Sequence, residues 1–320
     1  MTPLCGTIGR VPGQLMLLDT ASLYFRAYFG VPESVKAPDG TPVNAVRGLV
    51  DFIARLVADH RPDALVACWD DDWRPRFRVD AIPSYKAHRV AEFVAGEAPD
   101  EEEVPDTLSP QVPVIAEVLA AFGIARVGSP GFEADDVIGT LTTAATTPVD
   151  IVTGDRDLFQ LVDDARGVRV LYPVKGVGVV DTIDDAAVLA RYGVPAASYA
   201  DFATLRGDTS DGLPGVKGIG EKTAAQLVNE FGDLAGVRRA AEDPASSLTP
   251  SRRRNLLAAA DYLDVAPGVV NVVRDVAVPG DLSAALPRTP RDPERLAALA
   301  ERWGLGGSVQ RLLAVLADDR

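Results

Sequence analysis

The sequence predicts an α/β domain with a mostly parallel sheet flanked by helices, followed by an all-helical domain, on three observations. Strand-like and helix-like patterns alternate from Gln14 to about Arg191, the order that gives parallel strands with helices on the faces. Three apolar runs each stop on an aspartate: Gln14–Leu18 on Asp19, Ala64–Trp69 on Asp70, and Asp150–Gly154 on Asp155. After Tyr192 the chain changes to short helical patterns broken by glycine loops. At 320 residues, 47% of them hydrophobic, it can bury two cores.

In chain order, residues 14–18 read as a strand. Residues 42–59 place Val46, Leu49, Val50, Ile53, Leu56 and Val57 at helical spacing, behind a proline suited to a first turn. Residues 64–69 are the second strand. Residues 78–110 have poor periodicity, and long inserts of that kind in compact domains are usually functional. A helix over 133–145 carries its acids at its start, where the helix dipole favours them. Residues 168–172 and 177–180, with a turn near Lys175-Gly176, predict a hairpin at the sheet edge. The boundary is placed near Val194-Pro195. Residues 1–13 are then an N-terminal extension, 14–194 the core with its insert, and 195–320 the helical domain with the C-terminal helices.

No apolar run approaches the roughly 20 residues that span a bilayer. Met1–Gly13 lacks the pattern of a signal peptide, so a cytoplasmic protein without a membrane partner is expected. Cys5 and Cys68 make no disulfide framework, and His60 and His88 are too isolated for a zinc site or catalytic pair. The net charge of −14 argues against nucleic acid, but the distribution argues for it. Arg74, Arg76, Arg78, Lys86 and Arg89 stand against Asp80 alone, and the acids Glu92, Glu97, Asp100, Glu101, Glu102, Glu103 and Asp106 follow without a basic residue.

Neighbouring parallel strands would bring Asp19, Asp70 and Asp155 to one sheet edge, where open α/β folds place ligands. At about 5 Å and an effective dielectric near 20, each carboxylate pair costs roughly 3 kcal/mol, so the cluster calls for protons or cations. Glu133, Asp135 and Asp136 in Gly131-Phe-Glu-Ala-Asp-Asp136, Asp157 beside Asp155, and Asp208 and Asp211 in Gly207-Asp-Thr-Ser-Asp211 join the set. Oxygen-only donors favour Mg²⁺ or Mn²⁺. Two such ions would activate a water and stabilise the attacking and leaving oxygens of an in-line phosphate displacement. Any one of these motifs alone reads more readily as a helix cap or a surface charge; it is their arrival from five separate segments that points to a metal site.

Leu213-Pro-Gly-Val-Lys-Gly-Ile-Gly-Glu-Lys-Thr223 is no P-loop, because Glu221 stands where that motif needs lysine. It reads as a glycine hairpin offering backbone amides, with Lys217 and Lys222 beside them, to duplex phosphates, or as a plain helix–helix turn. In Phe77–Arg89, cations flank Tyr85, a pattern that suits a single strand or a solvated basic helix face.

These segments together resemble the flap endonuclease / 5′-3′ exonuclease family, most closely the 5′-nuclease domain of bacterial DNA polymerase I. The matching pieces are Leu18–Tyr28, Phe77–Arg89, Gly131–Gly139, Val152–Leu161 and Gly207–Ala224. The resemblance implies a PIN-like core with a helical arch at about 78–110, then a helix-three-turn-helix (helix-hairpin-helix-like) domain that grips duplex DNA. By the match, Asp19, Asp70, Glu133 and Asp135 form one metal site and Asp155, Asp157, Asp208 and Asp211 a second, with Asp136 close to both. Lys86 and Arg89 match basic residues that steady the scissile phosphate, Tyr85 one that stacks on the unpaired nucleotide, and Arg26 and Arg78 DNA-contacting positions. Gly215, Val216, Lys217, Gly218, Gly220, Lys222 and Thr223 match the duplex-gripping hairpin, whose carbonyls hold K⁺.

The implied activity is metal-dependent hydrolysis at 5′ flaps, nicks and 5′ ends, RNA-primed strands included, for primer and flap removal in replication and repair. A monomeric, stand-alone bacterial enzyme associated with the nucleoid is expected. Gly212 departs from the family pattern, which has Asn there, and the arch is unusually acidic. Two rival readings remain at this level: a DNA-binding protein without hydrolysis, and a Mg²⁺ phosphohydrolase of small molecules.

Overall fold

The computed structural model describes residues 13–90, 105–175, 179–279 and 282–318. Most of the proposed extension, the middle of the arch and the hairpin turn at Gly176 lie outside these residues. Six strands form one sheet: β1 (Leu15–Asp19), β2 (Ala64–Cys68), β3 (Ala125–Val127), β4 (Val149–Val152), β5 (Val168–Lys175) and β6 (Val179–Ile183). Their spatial order is β3-β2-β1-β4-β5-β6. All pairings are parallel except β5/β6, the expected antiparallel hairpin. The register pairs Leu18 with Ala67 on one side and Val152 on the other, so β1, β2 and β4 end level. The chain moves from β1 outward through β2 to β3, then returns to the other side of β1 with β4. That reversal creates a crevice beyond the strand ends, and Asp19, Asp70 and Asp155 all fall there.

Helices cover both faces, so β1, β2 and β4 are buried along their whole length without alternation. The core nevertheless divides by strand parity. Leu15, Leu17, Val66, Cys68 and Ile151 face a cluster with α5 (Ala134–Ala144) and the helical domain; Met16, Leu18, Leu65, Ala67 and Val152 face the other cluster. The second side carries α1 (Thr20–Gly30), α2 (Asn44–His60) and α4 (Gln111–Phe122), while the short α3 (Arg76–Ala81) lies between β2 and the arch. Pro42 does not open α2 as expected. It bridges back to Lys36, and the helix begins at Asn44 with no side-chain cap on Val43.

The helical part comprises α6 (Asp185–Tyr192), α7 (Tyr199–Arg206), α8 (Glu221–Phe231), α9 (Leu234–Glu242), α10 (Pro250–Ala258), α11 (Ala260–Val265) and α12 (Pro267–Val270). The last two helices, α13 (Pro293–Arg302) and α14 (Gly306–Ala317), are grouped with this domain in the sequence reading but pack elsewhere. Leu296, Leu299, Leu312 and Leu316 join α2 and α4 on the far face of the sheet. The segment leading to them pairs antiparallel with the start of β2: Leu65 N–H donates to Ala284 O at 2.8 Å and Leu286 N–H to Asp63 O at 3.0 Å. No helix among the described residues is long and apolar enough to cross a membrane.

A buried amide clasp supplies the cap that α2 lacks. Gln111 Oε1 accepts from the Ala45 and Val46 N–H groups at 2.9 and 3.3 Å, and its Nε2 donates to Asn44 Oδ1 and Thr107 O. Asn44 Nδ2 in turn donates to Tyr28 O at 2.7 Å and Val31 O at 3.1 Å. The clasp therefore ties the end of α1 and the starts of α2 and α4 together. Gln111→Leu should destabilise the protein by about 2–4 kcal/mol in urea unfolding, because several buried polar groups lose partners at once. A loss under about 0.5 kcal/mol would contradict this reading of the clasp.

Candidate active site and nucleic-acid interface

The crevice beyond the strand ends is a cleft of about 500 Å³. Eight carboxylates line it: Asp19, Asp70, Glu133, Asp135, Asp155, Asp157, Asp208 and Asp211. Local structure aims several of them. Asp19 caps α1 through the Ser22 N–H at 3.2 Å, and its other oxygen accepts from the Thr153 hydroxyl at 2.7 Å. Asp70 accepts from the Ala134 N–H at 2.8 Å, at the positive end of α5. Asp155 Oδ1 accepts from the Asp157 N–H, and Asp208 holds its loop through the Ser210 N–H, each at 2.8 Å.

These acids are short of positive charge. Burial, then the neighbouring Asp70, pushes Asp19 up to about 7. Burial pushes Asp70 up to about 6 even though the Ala134 N–H pulls it down. Asp135 and Asp157 are held well above the usual carboxylate range by burial and by Asp155, and Asp211 is raised by burial against the pull of Lys86. Asp208 is the exception: burial raises it, but the Ser210 hydroxyl and N–H, with Arg206, bring it below its ordinary value. No group of three or more His, Cys, Asp or Glu among the described residues is already drawn into a metal-ligating arrangement. The donor set still fits hard divalent cations: all oxygen, negatively charged and concentrated in one crevice.

The sign of the linkage follows from the raised values. Between pH 4 and about 7 the folded protein keeps protons on Asp19 and Asp70 that the unfolded chain has released. Without divalent cations, stability should therefore fall by a few kcal/mol as pH rises through that window. Added Mg²⁺ should flatten the fall. Thermal melts with EDTA at pH 5 and 7.5 decide it, and a higher Tm at pH 7.5 would contradict it.

The base of the arch closes one side. Lys86 Nζ pairs with Glu133 Oε1 and reaches Trp73 O at 3.4 Å. Arg89 Nη2 donates to Asp211 Oδ1 and Ser210 O, both at 2.8 Å. The backbone joins them: Lys86 N–H donates to Asp211 O at 3.0 Å and Ser84 Oγ to Gly212 O at 2.7 Å. Gly212 has φ of +72°, and a Cβ there would sit 2.0 Å from Ser84 O. A side chain at this position would therefore have to displace the base of the arch.

Three expectations are corrected. Arg78 is buried, not exposed to a phosphate: its guanidinium donates to both oxygens of Asp136 at 2.8 and 2.6 Å, to Glu133 Oε2 at 2.6 Å and to Val269 O at 3.1 Å. Asp136 is fully buried and does not line the cleft; besides Arg78 it accepts from the Glu133 and Val273 N–H groups. It is the N3 member of the α5 capping box, which turns it inward. Tyr85 is 4% exposed and its hydroxyl donates to Glu133 Oε2 at 2.7 Å, so its ring presents no face for a nucleotide.

Arg26 lies against Gly154 at the rim of the cleft. The hairpin lies between α7 and α8. Gly215 has φ of +62°, and a Cβ there would meet Arg206 O at 2.4 Å. Val216 and Ile219 point into the core, so Val216 offers only backbone. Its carbonyl accepts from the Ile219 N–H at 2.9 Å. Lys217, Gly218, Gly220 and Lys222 are exposed and Thr223 is half-buried. Asn255 Nδ2 fixes the turn by donating to Lys217 O at 2.8 Å. Sequence reasoning passed over Ser22, Phe25, Trp73, Arg156 and Tyr172, which also line the cleft. Arg156 was visible between Asp155 and Asp157, and Trp73 three residues after Asp70.

The family model described as 5′-3′ exonuclease, N-terminal resolvase-like domain, matches residues 14–193, and that described as 5′-3′ exonuclease, C-terminal SAM fold, matches 194–294. A 5′-3′ exonuclease of Streptomyces coelicolor is 71% identical over 301 residues, covering 94% of this chain and 99% of that protein. DNA polymerase I of Mycobacterium bovis is 43% identical over 229 residues, covering 70% of this chain and 24% of the polymerase. Among solved structures, a bacteriophage T5 flap endonuclease in a pseudo-enzyme-product complex with DNA and metal ions superposes with a TM-score of 0.64. It is 18% identical, and the match covers 95% of this chain and 100% of that one.

Proposed function

The chain belongs to the 5′-3′ exonuclease family, and on that premise we propose that it cleaves 5′ flaps, nicked strands and 5′ ends of duplex DNA with two divalent cations held in the carboxylate cleft. As a member of this family it is a structure-specific 5′ nuclease. The observation that supports the finer reading is the convergence of eight carboxylates from separate segments, with Lys86 and Arg89 at their side. Asp19, Asp70, Glu133 and Asp135 would hold one Mg²⁺ or Mn²⁺, and Asp155, Asp157, Asp208 and Asp211 the other. Bound there, the ions would polarise a water and stabilise charge on both oxygens of the displaced phosphodiester.

The protein's own groups bring the phosphate in. The exposed Lys217 and Lys222, with the backbone of the 215–220 turn, hold the duplex without reading its sequence, and carbonyls of that turn would hold K⁺. Arg26 meets the 5′ strand. Lys86 and Arg89, paired with Glu133 and Asp211, would be free to turn to the scissile phosphate if those carboxylates were engaged by bound cations. Unpairing at a junction is less costly than within a duplex, which gives selectivity for structure over sequence. We assign the nuclease core to 14–194 and the duplex grip to the helices that follow, acting as a cytoplasmic monomer in primer and flap removal.

A labelled 5′-flap duplex tests the assignment. Cleavage near the junction is expected with Mg²⁺ or Mn²⁺ and none with chelator. Hydrolysis of a simple phosphate monoester without any cut in the duplex would favour the small-molecule rival instead.

A further inference from the structure

The stretch that follows α12 forms neither helix nor strand, yet three of its amides are satisfied by side chains of the nuclease core. Val272 N–H donates to Gln160 Oε1 at 3.1 Å, Val273 N–H to Asp136 Oδ1 at 2.8 Å and Val276 N–H to Thr140 Oγ1 at 3.1 Å. Two carbonyls of α12 are held in the same way. Val269 O accepts from Arg78 Nε at 3.1 Å and Val270 O from Gln160 Nε2 at 3.0 Å. Gly139 makes room for the approach, since a Cβ there would lie 2.7 Å from Val273 O.

These partners stand on two different elements. Asp136 and Thr140 belong to α5, whose start carries Glu133 and Asp135, whereas Gln160 belongs to the 3₁₀ turn Asp157–Leu161. Gln160 is 6% exposed and spans the joint: the Nε2 that donates to Val270 O also donates to the Asp157 carbonyl, at 2.8 Å. Residues 269–276 therefore splint the helix that carries one set of carboxylates to the turn that carries part of the other. An amide suits the place because one end donates to two carbonyls and the other accepts an N–H, which neither a carboxylate nor an alkyl chain can do.

We propose that Gln160 is a positioning residue for cleavage: through residues 269–276 it sets the distance of Asp157 from Glu133 and Asp135, and so the spacing of the two cations. This deepens the nuclease reading and rests on its two cation sites. Losing a group that orients metal ligands usually costs about 10- to 100-fold in metal affinity or activity. A reacting geometry displaced by about an ångström costs on the order of 100-fold in rate.

Gln160→Met keeps the volume and removes all three hydrogen bonds. It should weaken Mn²⁺ binding to the DNA-free protein, read by calorimetry, by about 10- to 100-fold at one site. Single-turnover cleavage of a 5′ flap at low Mn²⁺ should slow by a similar factor, with flap affinity in chelator changed less than about threefold. Gln111→Leu, which opens the remote amide clasp, controls for lost stability and should leave all three within about threefold of wild type. A measurement on the wild type covers the case in which Gln160→Met does not fold. Coupling is reciprocal, so Mn²⁺ should slow hydrogen exchange at the Val272 N–H more than at the Ala45 N–H of the clasp. Unchanged Mn²⁺ binding or cleavage in Gln160→Met, an equal loss of flap affinity, equal losses in Gln111→Leu, or no preferential slowing at Val272 would overturn the proposal. A wild type that binds no Mn²⁺ or fails to cut the flap would instead remove the two-cation reading, and the role of Gln160 with it.

Discussion

Replacing Asp155 and Asp157 together by asparagine should lower single-turnover cleavage of a 5′ flap by at least about a thousandfold, since several kcal/mol of transition-state stabilisation depend on cations at this edge. Stability should move the other way. Asp157 is held well above its ordinary range by burial and by Asp155, so neutralising both relieves repulsion in the metal-free protein. Flap affinity in chelator should persist, because Lys217 and Lys222 lie on the hairpin outside the cleft. Loss of activity with a raised Tm and retained binding is the signature to look for. Cleavage within about tenfold of wild type would refute the assignment of these two carboxylates.

The second large effect is on folding. Arg78→Met should destabilise the protein by about 3–5 kcal/mol, the usual consequence of removing one partner from a buried ion pair. The guanidinium is 3% exposed and binds Glu133 and Asp136, themselves 4% and 0% exposed. Removing it leaves two acids facing each other near α12, whose Val269 carbonyl also loses a donor. Adding Asp136→Asn should recover part of the loss. Urea unfolding of the three variants decides it, and a cost below about 1 kcal/mol for Arg78→Met would show that Tyr85 and Lys86 alone hold Glu133.

The sheet and its acidic edge were legible because they depend on runs and ends. An apolar strand flanked by parallel neighbours reads as a continuous run, and Asp19, Asp70 and Asp155 terminate three of them. What escaped depends on the direction of single side chains. Asp135 and Asp136 are adjacent at the start of one helix, yet one faces the cleft and the other turns under the capping box toward Arg78. Arg78, Tyr85, Lys86 and Arg89 form one basic-aromatic stretch, but the first two point into the core and the last two line the cleft. The placement of α13 and α14 was equally invisible, since an amphipathic pattern predicts a buried face without naming what it is buried against.

The bond between Leu65 and Ala284 joins an early strand to a segment made long after it. On the ribosome, at about 5–20 residues per second, the N-terminal end of β2 waits on the order of 10–40 s for that partner. Over that interval α2 and α4 have emerged without the leucines of α13 and α14 that later cover them. The nascent polypeptide thus carries an oily, unfinished surface until α13 and α14 have been made, and such uncovered apolar surface is prone to aggregate.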